Sequence, residues 1–497
     1  MKAFLMHRAR DFDWERELPP SAAALTQDLG LETLFTAMAG GDKFLYEVAE
    51  KGVLYSLQDP EEIIYRQHVL NDCIEQATVV AEMYATTIQA IEGERKVWRS
   101  FVNYPAAILR RAIELLQLFV LQLKKLRVIA DEHVGKFHSA GFAALFEMLR
   151  MELDDGYFAS VDEHLRQLKF RHGVLISARL GKGSKGIDYV LREPRQARPV
   201  WREWLSFLDR SALTIWIDPR DENGAKALSE LSDRGLNLAA NALAQSTDHI
   251  LSFFKMLRAE LGFYIGCLNL RQRLVEKSEP VCFPVPLAHD GPEFSCRGLY
   301  DVCLSLSIDG KVVGNDVNAV GKSLIMITGA NQGGKSTFLR SLGLAQLMMQ
   351  SGMCVAAEAC RSNVRDAVYT HFKREEDPTM TSGKLDEELR RMRGIADHVT
   401  PNSVVLFNES FAATNESEGA EIASSIVGGL LEVGIKVFFV THSFELARRF
   451  HLQAMDNALF LRAERRADGQ RTFKLLEGEP LPTSYGEDLY RRIFGKD

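Results

Sequence analysis

The residues best equipped for chemistry lie in the run Ser323-Leu324-Ile325-Met326-Ile327-Thr328-Gly329-Ala330-Asn331-Gln332-Gly333-Gly334-Lys335-Ser336-Thr337, where an apolar strand opens into G-x-x-x-x-G-K-S and then into a helix. Glycines at 329, 333 and 334 let the backbone curl so that its N–H groups converge on an anion, and the N-terminus of the following helix adds the positive end of its dipole. Lys335 then reaches the β and γ phosphates of a nucleoside triphosphate, and Ser336 offers its hydroxyl to magnesium. A glycine-rich turn matching by chance would need neither the strand before it nor the helix after it.

A second apolar run, Ser403-Val404-Val405-Leu406-Phe407, ends about 70 residues after the loop in Asn408-Glu409, where a nucleotidase places its water-activating carboxylate. Glu409 is the candidate general base. Position 408 holds Asn where an Asp usually anchors the metal shell, so Ser336, Asn408 and Glu409 make a candidate magnesium set that is one negative charge short. A third apolar strand, Lys436-Val437-Phe438-Phe439-Val440, delivers Thr441 and His442 to the same carboxyl-end rim of a parallel sheet, where ligands of open α/β sheets gather. A lone histidine at a strand end is usually a structural hydrogen-bonder; beside the other two motifs, His442 is placed to sense the γ-phosphate.

These three segments also carry a family resemblance. GANQGGKSTFLRSLGLAQLMMQSGMCVAA, LFNESFAAT and VTHSFELA resemble the ATPase domain of the MutS mismatch-repair family over about residues 313–450. The resemblance implies ATP and magnesium as cofactors. It assigns Asn331, Gly334, Lys335, Ser336 and Thr337 to the triphosphate and metal, Glu409 to water activation and His442 to the γ-phosphate. It also places Asn315 near the base and Ser382 in a segment that crosses to a partner's nucleotide. Two departures stand out: Asn408 replaces the family's Asp, and Thr381 to Leu389 lacks the family's Ser-Thr-Phe-Met run.

The elements that must position this site are largely helical. Asp59-Pro60 supplies an N-cap and a first-turn proline for a helix toward Glu92, and Pro105 opens an apolar helix over Ala106 to Ala130. Ala225 to Leu274 passes without a proline, enough for a lever helix near ~75 Å long or two stacked end to end; an ordinary bundle with a turn near Gly235 or Gly262 is the alternative. Pro280, Pro284, Pro286 and Pro292 then mark a boundary.

Residues 166–202 carry ten basic side chains against Asp188 and Glu193, on a chain whose formal net charge is −7. Within them, Gly173 to Leu180 and Ile187 to Leu191 flank a Gly181-Lys182-Gly183-Ser184-Lys185-Gly186 turn and predict a hairpin with lysines at its tip. Lys182, Lys185, Arg192, Arg195 and Arg198 are candidate contacts to DNA phosphates. In the resembled family a DNA-gripping clamp sits at the end of the lever helices.

The chain has 497 residues, 46% of them hydrophobic, which predicts two to four domains. No apolar run approaches about 18 residues, and His7, Arg8 and Arg10 interrupt the short apolar start, so a cytoplasmic location with no membrane contact is expected. Seven cysteines without a C-x-x-C pair predict reduced, mostly buried thiols.

The expected fold is mixed: an α-helical lever and clamp-like region followed by an α/β P-loop NTPase domain of the ABC/MutS type. The expected division is 1–165 as helical core, 166–222 as basic hairpin insertion, 223–298 as long helix and proline-rich linker, and 299–497 as ATPase domain. The expected function is a homodimeric DNA-binding ATPase clamping double-stranded DNA, mismatched or branched, in repair or recombination. The family's mismatch-reading N-terminal domain and a C-terminal nuclease-like extension are both expected to be lacking. The alternative is a nucleotide-gated DNA- or protein-binding scaffold with slow or absent hydrolysis. A transporter's ATPase subunit shares the fold logic but leaves the lever and the basic hairpin without a reason.

Overall fold

The structure is a computed structural model that describes residues 1–97, 104–170, 173–192, 215–218, 220–289, 291–330, 332–374, 383–466 and 471–481. Asn331, Ser382, Arg195 and Arg198 lie outside these. The chain forms two units, one of Met1–Ala3, Ala81–Phe137 and Ala143–Arg258, the other of Phe4–Val80, His138–Phe142 and Ala259–Asp497. Among the described residues no helix is long and apolar enough to cross a membrane.

The first unit is built on helices. Pro105 occupies the first turn of helix Pro105–His133, and the Asp154 carboxylate caps helix Asp155–Gln167 by accepting from the Tyr157 N–H at 2.6 Å. A 55-residue helix, Glu222–Glu276, begins in this unit; at 1.5 Å per residue its length is about 80 Å. It runs through Gly235 without a turn, because that glycine is a bare spot on which Ile176 seats. A Cβ there would meet the Ile176 side chain at 2.5 Å. Ile176 belongs to the basic hairpin, in which β1 (Leu175–Leu180) pairs antiparallel with β2 (Gly186–Arg192). The connecting turn needs Gly183 at φ 70°, a left-handed conformation that costs glycine little. The helix expected to run unbroken from Pro60 toward Glu92 is instead two, Pro60–Glu75 and Ala77–Val97. Gln76 leaves helical geometry at ψ 37° with no proline or glycine to announce it.

The second unit holds two sheets. The larger has the order β12, β11, β6, β10, β9, β8, with β6 (Leu324–Thr328), β8 (Val368–Phe372), β9 (Val404–Asn408), β10 (Lys436–Val440) and β11 (Ala458–Arg465) parallel and β12 (Arg471–Glu477) antiparallel at its edge. The smaller has the order β3 (Val285–Leu287), β7 (Ala359–Asn363), β4 (Phe294–Leu299), β5 (Asn315–Asn318). Strands β6, β9 and β10 read as unbroken apolar runs because both faces of a central parallel strand are covered. Leu324, Met326, Val405, Phe407, Val437 and Phe439 are all fully buried on one of those faces.

Cys296 of β4 stands opposite Cys360 of β7 and is joined to it as a disulfide, whereas the other five cysteines are free. The expectation of reduced thiols throughout is corrected here, since a cross-strand pair 64 residues apart leaves no spacing signal.

Residues 5–12 are clasped by Glu260, in the C-terminal third of the long helix. Its carboxylate, fully buried, accepts from the N–H groups of Leu5 (2.6 Å), Phe12 (3.0 Å) and Met6 (3.4 Å). Tyr264 donates its hydroxyl to the Leu5 carbonyl, and the buried Arg66 donates to that of Met6. An unpaired carboxylate in such a place would be costly, and the three backbone donors offset part of that cost.

Candidate nucleotide site

The loop between β6 and helix Lys335–Gln350 has the geometry its glycines imply. Gly329 and Gly334 take φ 115° and 88°, closed to most side chains. A Cβ on Gly329 would lie 2.9 Å from the Ala463 N, and one on Gly333 would lie 2.9 Å from the Ala330 carbonyl. Gly333 is thus needed for space rather than for its dihedral. Gln332 sits at φ 59° and accepts from Arg471 of β12 at 2.6 Å.

Lys335 and Ser336 start the helix. Lys335 is 4% exposed and donates Nζ to the Gly329 and Ala330 carbonyls, both at 2.9 Å. Burial lowers its pKa to about 8, with Glu409 pulling it partly back and Arg471 adding to the fall. Ser336 donates Oγ to Asn408 Oδ1 at 2.9 Å, across the gap from β6 to β9. Neighbouring ligands of an octahedral magnesium with bonds of about 2.0–2.1 Å stand roughly 2.9 Å apart, so this oxygen pair fits two adjacent positions of such a shell. Thr337 follows on the helix and faces a separate cavity.

Glu409 leaves β9 at φ 55° and Phe411 follows at φ 62°, two non-glycine residues in left-handed geometry within one turn. Such conformations cost on the order of 1–3 kcal/mol each and persist only when surroundings hold them. The Glu409 N–H donates to the Val440 carbonyl at 2.9 Å, and its carboxylate meets His442 Nε2 at 2.7 Å. That hydrogen bond is the main reason Glu409 stays below the usual carboxylate range, against the opposing effect of burial and with further help from the charges of His442, Lys335 and Lys373. The carboxylate is therefore ionised at neutral pH. It borders a cavity of about 310 Å³ lined also by Lys373, Thr414, Thr441, His442 and Ser443.

A second cavity, of about 350 Å³, borders the loop at Gly334, Thr337 and Phe338, with Tyr300, Asn315 and Phe473 on its other walls. Asn315 is buried there with its amide engaged by the β12 backbone: Nδ2 donates to the Phe473 carbonyl at 3.1 Å, and Oδ1 accepts from the Leu475 N–H at 2.8 Å. It therefore fastens β12 beside the loop. Phe473, at φ 59°, is half-exposed against Gly334.

The structure thus brings together Gly329, Gly333, Gly334, Lys335, Ser336, Asn408, Glu409 and His442 at the carboxyl ends of β6, β9 and β10. Asn331 and Ser382 lie outside the described residues. Lys182, Lys185 and Arg192 are exposed on the hairpin of the other unit, Arg192 donating to Ser177 Oγ at 2.8 Å. Arg195 and Arg198 lie outside. Lys373, Arg471 and Phe473 were missed by the motifs. The Val368 to Phe372 run ending beside Lys373 was open to a strand reading, but Arg471 and Phe473 carry no local signal.

Residues 58–277 match the model of the MutS2 N-terminal domain, and residues 325–491 match that of MutS domain V. Similar relatives include an endonuclease MutS2 of Thermus thermophilus, 38% identical over 301 residues, 59% of this chain and 37% of that protein. Another is an endonuclease MutS2 of Lacticaseibacillus casei, 35% identical over 311 residues, 59% of this chain and 38% of that protein. A DNA mismatch repair protein MutS of Streptococcus pneumoniae is 33% identical over 262 residues, 52% of this chain and 31% of that protein. The match spans less than two fifths of the length of each of these relatives. A helical region of the MutS2 N-terminal type followed by a domain V ATPase fold places the chain in the MutS family.

Proposed function

We propose that the chain is a magnesium-dependent ATPase that couples ATP binding and hydrolysis to clamping on double-stranded DNA, working as a homodimer. The observation that carries this is the convergence of Lys335, the Ser336–Asn408 pair and the Glu409–His442 pair on one rim of the sheet. Loop N–H groups and Lys335 bind the triphosphate, which draws Nζ away from two carbonyls. Asn331 and Thr337 add to the phosphate and metal contacts by resemblance, and Ser382 reaches the partner's nucleotide. The cavity beside Phe473 takes the base, with Asn315 holding that wall. Glu409, kept ionised, orients and deprotonates the attacking water, and His442, hydrogen-bonded to it, reads the γ-phosphate. Ser336 and Asn408, with Glu409 beside them, would hold magnesium, which would neutralise charge on the transferring phosphoryl group.

DNA contact is assigned to the hairpin, where Lys182, Lys185 and Arg192, with Arg195 and Arg198, offer a sequence-independent grip on phosphates. The mismatch and endonuclease activities named for the relatives belong to proteins much longer than the matched region. Asn408 favours a second reading, a nucleotide-gated scaffold that hydrolyses slowly because its metal shell lacks a charge. Turnover separates the two. Glu409→Ala is expected to retain ATP binding and lose hydrolysis, and binding to plain, mismatched and branched duplexes is expected to change on adding ATP. A Glu409→Ala variant with wild-type turnover refutes the assignment of the base, and DNA binding indifferent to ATP refutes the coupling.

A further inference from the structure

Two features of the Glu409 turn remain without a cause among the motif residues: it holds two strained positions, Glu409 and Phe411, on either side of Ser410, and its far side is buried. Five contacts act on that side. Glu388, on helix Lys384–Ala396, is 4% exposed and accepts from the Phe411 N–H at 2.8 Å. Ser410 Oγ lies 2.5 Å from the His371 carbonyl and 2.8 Å from His371 Nδ1. His371 Nε2 lies 3.0 Å from the Glu388 carbonyl, and its ring stacks on Phe411 with centroids 5.1 Å apart. A carbonyl only accepts, so Nε2 carries the hydrogen and the single hydroxyl hydrogen of Ser410 is shared between Nδ1 and a carbonyl. Burial pushes His371 down to about 4, in keeping with a neutral ring.

We propose that Glu388, acting with His371, is a positioning residue that sets where the Glu409 carboxylate points and ties that placement to helix Lys384–Ala396. The proposal rests on the reading of Glu409 as the water-activating base. Phe411 at φ 62° turns its N–H toward the helix, and the Glu388 carboxylate receives it. Releasing that N–H frees the turn on the side opposite the Val440 carbonyl, which fixes Glu409 through its own N–H. Glu388 touches neither the loop nor Lys335 through any described hydrogen bond, so its loss acts on the geometry of the base and not on nucleotide affinity. A displacement of helix Lys384–Ala396 would be felt at Glu409 by the same route.

The test uses the full chain with Glu388→Gln, Glu388→Asp, Glu388→Ala and Glu409→Ala variants. Single-turnover ATP hydrolysis, affinity for a fluorescent ATP analogue and amide hydrogen exchange of the peptide containing Phe411 are measured. Glutamine keeps an acceptor at the same reach and is expected to stay within about threefold of wild type. Aspartate withdraws the acceptor by one methylene and alanine removes it, so both are expected to lose about 10- to 100-fold in rate with affinity within about threefold. Both should also exchange faster at Phe411, with the phosphate-loop peptide unchanged. Should the alanine variant not fold, the aspartate variant decides. Wild-type rates and exchange in the aspartate variant, or a glutamine variant as slow as aspartate, overturn the proposal. Wild-type turnover in Glu409→Ala instead overturns the identity of the base, and the exchange measurement judges the Glu388–Phe411 contact separately.

Discussion

Replacing Asn408 by Asp tests how far the missing charge shapes the proposed nucleotide site. The two side chains are isosteric, and Asn408 sits at the end of β9 in register with Val440 of β10 and Phe372 of β8, so the backbone has no reason to move. What changes is the oxygen that Ser336 contacts at 2.9 Å, from an amide carbonyl to a carboxylate. Contacts to ionised groups are roughly twice as strong as neutral ones, a gain of about 1.4 kcal/mol and therefore about tenfold in affinity. The new carboxylate adjoins Glu409, whose own charge is already offset by His442, Lys335 and Lys373, so repulsion in the metal-free state also favours magnesium. The expected result is a roughly tenfold fall in the magnesium concentration for half-maximal turnover, with the maximal rate held or raised. Titrating magnesium at fixed ATP in both proteins measures it. An unchanged or higher magnesium requirement in the Asp variant refutes the reasoning, because Ser336 and residue 408 would then not be its ligands.

Three further outcomes follow from the same geometry. Lys335 is neutral above about pH 8 in the free protein and must be charged to hold phosphate, so ATP affinity should fall by up to about tenfold per pH unit above that value; calorimetry in buffers of different ionisation enthalpy should show up to one proton taken up, and a flat profile to pH 9.5 would count against the loop lysine. For Glu260, burial raises the pKa from 4.5 to about 7 despite its three N–H donors; the associated stability is fully present below the unfolded value of 4.5 and is lost as pH rises toward 7, so thermal melts should show wild type declining across that window and Glu260→Ala losing this slope. On duplex DNA, the Lys182→Ala, Lys185→Ala double variant should reduce the log–log salt slope by about 1.8, two phosphate contacts at 0.9 each; an unaltered slope removes the hairpin tip from the interface.

Those parts of the site that are contiguous in the chain were readable from it. The loop, the Asn408-Glu409 pair and His442 each follow an apolar run long enough to predict a buried strand, and parallel strands must present their carboxyl ends together. The hairpin was readable because alternating residues flank a glycine-lysine turn. Residues whose roles depend on distant backbone were not. Asn315 engages the β12 backbone some 160 residues on, and Glu388 reaches Phe411 across 23 residues from a helix that looks merely amphipathic. Gly235 reads as a helix breaker until Ile176 is seen seated on it.

The clasp at Glu260 has a bearing on how the polypeptide is made. Leu5 and Glu260 are 255 residues apart, and at a translation rate of about 5–20 residues per second they leave the ribosome roughly 13–50 s apart. Until Glu260 emerges, the N–H groups of Leu5, Met6 and Phe12 lack the acceptor that the folded state supplies. The second unit is interrupted by most of the first, whose segments Ala81–Phe137 and Ala143–Arg258 are synthesised between its pieces. The second unit needs contacts between its early and late stretches, such as the Leu57 N–H donating to the Gln350 carbonyl, a high contact order that slows folding. The ATPase sheet is therefore completed last, after the hairpin-bearing unit has left the ribosome, and no ATP site exists on the nascent chain before Lys436–Val440 and Ala458–Arg465 flank Leu324–Thr328.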